Sequence, residues 1–351
     1  MAETSFFSEL NSRVSGDAAL DISRGGRALI LSDLHMGTGR RDDFSGNGDL
    51  VITALEDYYF KNGWFLVLNG DIEELQRHSL ERVQERWLRA FQVFNAFAAE
   101  NRLYKIIGNH DESLLFKRSY PYPLYTVVRV DTGIVPVYVY HGHQASRIYI
   151  KYNKLLGAGI RYVLKPFGIK NISSAGSPYR RFHVEKEAYR FSLENNCVSV
   201  IGHTHRPLFE SLGRFDYIKF EIERLCRDYP ASGADRERIE NEVMALRQDL
   251  GKLRRKERRD VLRQSLYGDD LPVPCLFNSG CAIGNKGFTA IELSGEDIAL
   301  VYWYSDGSGR RFISRGGYAV ERLGPYCRTV LNQDRLDYIW SRIRLLGTRA
   351  G

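Results

Sequence analysis

Five short apolar runs in this chain each end at a loop that carries His, Asp or Asn. Each run predicts a strand, and the first three alternate with helical patterns. Because ligands of open α/β sheets bind beyond the carboxyl ends of strands, side chains of these loops are expected to meet in one crevice. The five loops are Ser32-Asp33-Leu34-His35, Asn69-Gly70-Asp71, Gly108-Asn109-His110-Asp111, Tyr140-His141-Gly142-His143 and Gly202-His203-Thr204-His205.

The order of apolar runs and helical patterns predicts a mixed α/β fold. An opening βαβαβ half is followed by a hairpin and further strands, which indicates two sheets packed face to face with helices outside. The predicted strands cover residues 27–31, 64–68, 103–107, 126–130, 135–140, 197–201, 275–278, 288–293 and 299–304, and the last is expected to end the strand series. Helices are predicted over residues 50–61 and 79–101.

The distribution of histidine indicates a metal site. Six of the eight histidines lie in the five loops, and only His78 and His183 fall elsewhere. Any one of the six alone would be explained more simply as a hydrogen-bonded surface or core residue, but the ordered set is not. A set of Asp, His and Asn is typical of Mn²⁺, Fe²⁺ or Zn²⁺, and it is too rich in nitrogen for Ca²⁺.

The loops offer more ligands than one divalent ion needs. Two ions about 3.5–4 Å apart would share a bridging carboxylate and a bridging water whose pKa falls towards neutrality. Such a centre attacks phosphorus in line while the ions neutralise the phosphoryl oxygens. The sequence therefore predicts a hydrolase that acts on an anionic, phosphorylated substrate.

The positive charge of the chain is confined to one segment. The net charge is +7, but residues 146–190 contain ten Lys and Arg against two acids, so this segment carries +8 and the remainder −1. A face that binds an anionic partner is expected from this distribution. The competing interpretation is an amphipathic helix whose charges are solvated and whose side-chain stems cover apolar surface.

Cysteine usage and hydropathy bear on the compartment. The five cysteines are scattered and form no C-x-x-C pair, which favours a reducing cytoplasm over a disulfide framework or a zinc knuckle. No apolar run approaches the roughly 18 residues of a membrane span, and residues 1–15 lack the apolar core of a secretory signal. We therefore expect a cytoplasmic protein, peripheral to the inner membrane if its substrate is a lipid.

The chain is predicted to contain one catalytic domain with additions. The domain covers residues 27–305, between an N-terminal extension (1–26) and a C-terminal extension (306–351). It includes a basic helical cap (144–195) and a charged helical insertion (221–270). An apolar seam in the insertion fits either a helical hairpin packed on its own domain or a dimer seam. The seam consists of Ile239, Val243, Leu246, Leu250 and Leu253.

The five motifs, taken together and in this order, resemble those of the calcineurin-like metallophosphoesterase superfamily. The resemblance covers residues 27–210 and the closing strands near 275–304. It implies a four-layer α/β/β/α sandwich with a dinuclear metal site. The residues that carry it are Asp33-x-His35, Gly70-Asp71, Gly108-Asn109-His110-Asp111, His141 and Gly202-His203-x-His205.

The resemblance also implies a role for each matching residue. His110 would lie near the scissile phosphate and donate a proton or stabilise charge on the leaving oxygen, and Asp111 would orient it. Mn²⁺ is the expected ion, with Fe²⁺ and Zn²⁺ as alternatives. The implied ligands are Asp33, His35 and His205 for one ion, Asn109, His141 and His203 for the other, and Asp71 as a bridge between them.

Within the superfamily, the motifs are similar to those of bacterial UDP-2,3-diacylglucosamine pyrophosphohydrolases. Those enzymes cleave a lipid precursor at the membrane surface and place a basic helical cap between their last two motifs. That family usually has Arg where His110 stands and Asp where His143 stands. The similarity implies a UDP-diacylglucosamine-like lipid substrate. The basic cap residues expected to grip it are Arg147, Lys151, Lys154, Arg161, Arg180 and Arg181.

Two other functions fit the same residues. A DNA nuclease of the double-strand-break repair type shares the D-x-H-x-G opening and the G-N-H-D motif, and aromatic residues among the basic ones suit a nucleic acid. The apolar seam, however, is far too short for the coiled coil of such a nuclease. A non-catalytic scaffold of the same fold is the other alternative, but the ligand set is intact, which favours an enzyme.

Overall fold

A computed structural model describes residues 18–39, 42–145, 178–209, 236–257, 273–307 and 319–347, with Phe312 and a few positions between 222 and 231. Within these ranges, no helix combines the length and apolar character that crossing a membrane requires. The helices are α1 (Gly48–Thr53, continued by a π-helical turn over Ala54–Phe60), α2 (Leu80–Arg86), α3 (Leu88–Ala99), α4 (Pro178–Glu194), α5 (Arg236–Glu257) and α6 (Leu336–Leu346).

Strands in the described residues form two sheets, of five and eight strands. They are β1 (Ala18–Asp21), β2 (Arg27–Leu31), β3 (Phe65–Asn69), β4 (Leu103–Ile106), β5 (Leu124–Tyr125), β6 (Val127–Asp131), β7 (Pro136–Tyr140), β8 (Val198–Ile201), β9 (Leu276–Asn278), β10 (Phe288–Ser294), β11 (Asp297–Ser305), β12 (Val320–Leu323) and β13 (Tyr326–Arg335).

The strand order explains where the five loops meet. The five-stranded sheet has the order β1-β6-β7-β8-β9, and the eight-stranded sheet has the order β12-β13-β11-β10-β2-β3-β4-β5. Strands β2 to β5 run parallel to one another, as do β7, β8 and β9. The loops after β2, β3 and β4 therefore leave the larger sheet at the same end of its strands. The loops after β7 and β8 likewise leave the smaller sheet at one end of its strands.

Side-chain alternation along the buried strands defines the layers. In β2, Ala28 and Ile30 face a core shared with the five-stranded sheet, whereas Leu29 and Leu31 face a second core filled by α1, α2 and α3. All four side chains are fully buried, as expected of a parallel strand covered on both faces. Helices α4 and α6 contribute to the first core. The predicted α/β fold with two sheets and outer helices is confirmed.

The prediction of a single helix over residues 79–101 is wrong. The structure has α2 and α3, separated at Trp87, whose φ of −110° and ψ of 34° lie outside the helical region. The Trp87 Nε1–H donates to the Gly37 carbonyl oxygen at 3.0 Å, and the ring centroid lies 4.7 Å from that of Phe44. This buried anchor interrupts a helix whose apolar spacing continues on both sides.

Strands lie on both sides of the predicted catalytic domain. β1 pairs with β6 in the smaller sheet, and β13 and β12 extend the larger sheet beyond β11. The expectation that the strand series ends at residue 304 is therefore wrong. β12 is mostly exposed and much of β13 is polar, so neither strand shows an apolar run in the sequence. The division of the chain at residues 26 and 305 stays a prediction.

The two predicted helical additions are described in part. Residues 146–177 of the predicted cap lie outside the described residues. In the described end of this range, α4 packs Val184 and Phe191 into the core beside β8 and β9, and the prediction of a cap stays a prediction. In the insertion, α5 buries Ile239 and Leu246 against Leu225 of the same chain. The described part of the apolar seam therefore packs within the chain.

Candidate metal centre

Six of the seven predicted metal ligands come together with His110 in one continuous cluster. The cluster consists of three overlapping groups, and within each group the potential ligand atoms lie within 4.8 Å of one another. His35 and Asp71 each belong to two groups, which joins the three. The groups are Asp33, His35 and His205; His35, Asp71 and His110; and Asp71, His141 and His203.

The loops hold these residues in an uncommon backbone conformation. Left-handed φ values are rare for residues other than glycine and cost free energy unless the surrounding structure imposes them. Of the seven non-glycine residues with positive φ in the described residues, five are predicted ligands. Concentration of backbone strain at one place indicates a functional site. The five are Asp33, His35, Asp71, His203 and His205, with φ between 49° and 64°.

The carboxylate of Asp71 is held between two neighbouring loops. A side chain at Gly108 would collide with the Asp71 carboxylate, so glycine there lets the G-N-H-D loop approach closely. The His110 amide N–H donates to Asp71 Oδ1 at 2.8 Å. On the other side, His141 Nδ1 donates to the Asn69 carbonyl oxygen at 2.8 Å. This tautomer leaves His141 Nε2 to face Asp71 Oδ2.

Distances between donor atoms suit shared ions. Two ligands bound at about 2.0–2.2 Å lie about 3.0–3.5 Å apart in octahedral or tetrahedral geometry. His141 Nε2 lies 3.1 Å from Asp71 Oδ2, and His205 Nε2 lies 3.1 Å from Asp33 Oδ1. Within the described part of the chain, Asn109 Oδ1 is buried without a hydrogen-bond partner, and Asp33 Oδ1 and His141 Nε2 are buried with only these ion-pair contacts. A divalent ion would satisfy these atoms, so the residues fit a metal.

In Asp33 and His141, burial and neighbouring charges shift the pKa in opposite directions. Burial raises the pKa of the Asp33 carboxyl, but His205 outweighs this and holds the pKa below its usual range. Burial lowers the pKa of His141, but Asp71 raises it to about 9. For His203, burial and the neighbouring His141 dominate, and the pKa falls to about 3. The His203 imidazole is therefore neutral, as a metal ligand must be, whereas a bound ion would take the place of a proton on His141.

Glu74, to which the sequence analysis assigned no role, contacts two histidines of the cluster. Its Oε2 lies 3.2 Å from His35 Nδ1 and 2.8 Å from His110 Nδ1. Both rings therefore turn Nε2 towards Asp71 Oδ2, at 3.8 and 4.0 Å. Burial raises the pKa of Glu74, but the two histidines outweigh it and lower the pKa to about 2. Glu74 stands three residues after Asp71, yet the pattern alone does not show which nearby acid faces the site.

The described hydrogen bonds of Asp111, predicted to orient His110, go to the loop backbone and to Lys105. Asp111 Oδ1 accepts a hydrogen bond from the Gly108 N–H at 2.6 Å. Its Oδ2 accepts from the Ile72 N–H at 2.9 Å and from Lys105 Nζ at 2.5 Å. The carboxylate is fully buried and directed at the backbone of the loops rather than at the imidazole. Asp111 therefore shapes the loop that carries His110.

Most predicted substrate residues fall where the structure gives no side chains. Arg147, Lys151, Lys154 and Arg161 lie outside the described residues. Arg180 and Arg181 lie at the start of α4, with side chains outside the described part of the chain. Further along α4, Glu185 accepts from Thr204 Oγ1 at 3.1 Å and pairs with Arg206. These contacts anchor the loop that carries His203 and His205 to the helix.

A family model for calcineurin-like phosphoesterases matches residues 26–207, a range that contains all five loops. The chain belongs to the calcineurin-like phosphoesterase family. This confirms the resemblance inferred from the motifs at the level of the family. The chain is accordingly a hydrolase of the metallophosphoesterase type, and its clusters of His and Asp are the candidate ligands for the divalent metals that this family typically binds.

Three solved structures are similar to this phosphoesterase. A conserved uncharacterized protein, a predicted phosphoesterase from Streptococcus pneumoniae TIGR4, has 10% identity and a TM-score of 0.30, over 80% of this chain and 89% of that one. Yfce, a phosphoesterase from E. coli, has 13% identity and a TM-score of 0.31, over 78% and 91%. A single mutant of Vps29 from Entamoeba histolytica has 8% identity and a TM-score of 0.36, over 87% and 99%. At these scores, we draw no conclusion about this chain from them. A search of curated proteins returned no match.

Proposed function

We propose that this phosphoesterase carries a dinuclear metal centre, with Mn²⁺ as the ion, and hydrolyses a phosphate ester or pyrophosphate bond. The observation that carries the proposal is the position of Asp71 Oδ2, 3.1 Å from His141 Nε2 and 3.8 Å from His35 Nε2, as a bridging carboxylate requires. The proposed ligands are Asp33, His35 and His205 for one ion, Asn109, His141 and His203 for the other, and Asp71 for both.

The ions, His110 and Glu74 would have different roles around the substrate. When bound, two divalent ions supply a nucleophilic water near neutral pH and neutralise the phosphoryl oxygens. His110 is 11% exposed and keeps Nδ1 on Glu74, so its Nε2 is the nitrogen that would hold a proton for the leaving oxygen. The Glu74 carboxylate would hold the imidazole in this orientation, with its Oε2 2.8 Å from His110 Nδ1.

Hydrolysis assays on a panel of substrates test the proposal. The panel contains a phosphomonoester, a phosphodiester, a UDP-linked diacyl lipid and single-stranded DNA, each with and without Mn²⁺. We expect the lipid pyrophosphate to react fastest, and we expect EDTA to abolish the reaction and Mn²⁺ to restore it. Preference for single-stranded DNA would support the nuclease instead. No hydrolysis with Mn²⁺, Fe²⁺ or Zn²⁺ would support the non-catalytic scaffold.

The support for an amphiphilic substrate comes from a short segment after His110, residues 115–118, which we call the rim segment. In it, Leu115 and Phe116 are 52% and 59% exposed, and the exposed cations Lys117 and Arg118 follow them. Apolar side chains beside cations suit acyl chains below anionic headgroups. Leu115 lies at most about 18 Å from His110 along the chain, comparable to the roughly 15 Å of hydrocarbon in one leaflet. Such a substrate would bring the enzyme to the cytoplasmic face of the inner membrane.

Substitution of Leu115→Ser together with Phe116→Ser is expected to raise KM for the lipid about tenfold without changing kcat. Complete burial of such a side chain contributes about 1.5–3 kcal/mol, but each of the two is only about half exposed. If lipid covers part of that exposed half, the pair together contributes about 1.4 kcal/mol, which corresponds to a factor of ten. A soluble short-chain substrate should keep its KM within about twofold. The matched control, Leu345→Ser with Leu346→Ser, removes an exposed pair at the end of α6 and should leave both KM values unchanged. An equal rise in KM for the soluble substrate would contradict a role in lipid binding.

A further inference from the structure

A fully buried cation lies directly beneath the candidate metal centre. Lys105, on β4, has no exposed surface, and its Nζ lies 3.1 Å from Glu73 Oε2 and 2.5 Å from Asp111 Oδ2. The Tyr120 hydroxyl donates to the other oxygen of Glu73 at 2.7 Å. Burial lowers the pKa of Lys105, but the carboxylates of Asp111 and Glu73 raise it by more. The pKa therefore lies above its usual value, and the amine stays charged.

The two acids that contact Lys105 belong to different loops of the site. Glu73 follows Asp71 by two residues, and Asp111 directly follows the G-N-H part of the next loop. Asp111 also accepts from the backbone N–H groups of Gly108 and Ile72, one in each loop. Lys105 therefore joins the loop of residues 70–74 to the loop of residues 108–111 from below.

A buried ion cluster is a costly way to stabilise a fold. Removing charges from water costs several kcal/mol per ion, and apolar side chains of similar volume are often as stable or more stable. Loss of one partner, by contrast, is strongly destabilising because the other charges stay buried. The cluster therefore calls for an explanation beyond stability, and the geometry supplies one, since Asp71 and Asn109 lie on the two loops that it joins.

We propose that Lys105 is a positioning residue that sets the spacing between Asp71 and Asn109, and thereby determines the affinity for the second ion. This inference rests on the proposed dinuclear centre. The contact that depends most directly on this spacing is the hydrogen bond from the His110 N–H to Asp71 Oδ1, which spans the same two loops at 2.8 Å. Among its described contacts, Lys105 touches no proposed ligand directly, so it acts through the two loops that carry Asp71 and Asn109.

Titration of the metal-free protein with Mn²⁺ tests the inference. Wild type is expected to bind two ions per chain, measured by calorimetry and by elemental analysis after dialysis. Lys105→Met removes the cation at nearly constant side-chain length. We expect this variant to bind the second ion at least tenfold more weakly, while its affinity for the first ion stays within about twofold of wild type. The free energy of unfolding of each variant is measured in parallel by denaturant titration.

A second, partly buried ion cluster provides a control. Arg328 contacts Glu292 and Glu321, each at 3.0 Å, and the Tyr59 hydroxyl donates to Glu292 at 2.6 Å. Like that of Lys105, this cluster combines one cation with two acids and tyrosine hydroxyls, although Glu321 is exposed, and none of its residues lies in the five loops. Arg328→Met should therefore lower the free energy of unfolding while both Mn²⁺ affinities remain within about twofold.

A double variant covers the case in which Lys105→Met does not fold. Lys105→Met with Glu73→Gln keeps the net charge of the cluster and leaves Asp111 with its two backbone donors, but it still lacks the link between the loops. We expect the affinity for the second ion to fall in this variant as well. Unchanged affinity for both ions in either folded variant, or equal weakening of both ions, would overturn the inference. Wild type that binds a single ion would instead contradict the dinuclear centre itself.

Discussion

Replacing Asp71 with alanine is expected to leave at most one Mn²⁺ bound per chain and to reduce turnover at least about 10³-fold. Asp71 is the one proposed ligand shared by both ions, and its Oδ2 faces His141 Nε2 at 3.1 Å and His35 Nε2 at 3.8 Å. Two divalent ions about 4 Å apart repel each other by on the order of 15 kcal/mol at an effective dielectric constant of about 20. Without Asp71, the centre loses the shared negative charge that most directly offsets this repulsion, so the second ion binds poorly.

Elemental analysis of dialysed Asp71→Ala, together with turnover under saturating Mn²⁺, measures both effects. Asp42→Ala is a suitable control, because Asp42 is also a buried acid and accepts from the Gly37 and Phe44 N–H groups at 3.3 and 3.2 Å. The control should keep two ions and lose little turnover. Two ions still bound to Asp71→Ala would refute the bridging role and require another arrangement of the centre.

The strand-end loops could be predicted from the sequence because their signal is local. An apolar run that stops at Asp, Asn or His marks a strand and the residue that follows its carboxyl end, and parallel pairing then brings these ends together. β2, β3 and β4 behave in this way, and Asp33, Asp71 and His110 meet as expected. The family match over residues 26–207 covers the same motifs.

Contacts that depend on side-chain direction could not be predicted in this way. Glu73 and Glu74 are neighbours of the same type, yet Glu73 contacts the buried Lys105. Glu74 contacts His35 and His110 in the metal centre instead. Lys105 lies within an apolar strand, where the sequence does not show that two acids from later loops surround it. The break at Trp87 depends on a carbonyl fifty residues earlier. Each of these features is decided by tertiary packing.

Replacing His110 with alanine is expected to lower kcat about 10²–10⁴-fold while both ions remain bound. The expected loss is the usual contribution of a positioned proton donor. His110 Nδ1 is held by Glu74 Oε2 at 2.8 Å, and its Nε2 lies 4.0 Å from Asp71 Oδ2, farther than His141 Nε2 at 3.1 Å. Since His35 Nε2, on a proposed ligand, lies at 3.8 Å from the same oxygen, experiment rather than distance distinguishes the two roles of His110.

The competing role for His110 is that of a metal ligand, since it forms a potential ligand group with His35 and Asp71. Two measurements on His110→Ala separate the roles. Loss of one metal equivalent would assign His110 to the ligands. A proton donor predicts unchanged metal content, and it also predicts that the loss of kcat shrinks as the leaving group becomes more acidic, because a good leaving group departs without a proton. A loss of kcat that is the same for p-nitrophenol and for an alkyl alcohol would contradict proton donation, even with both ions bound.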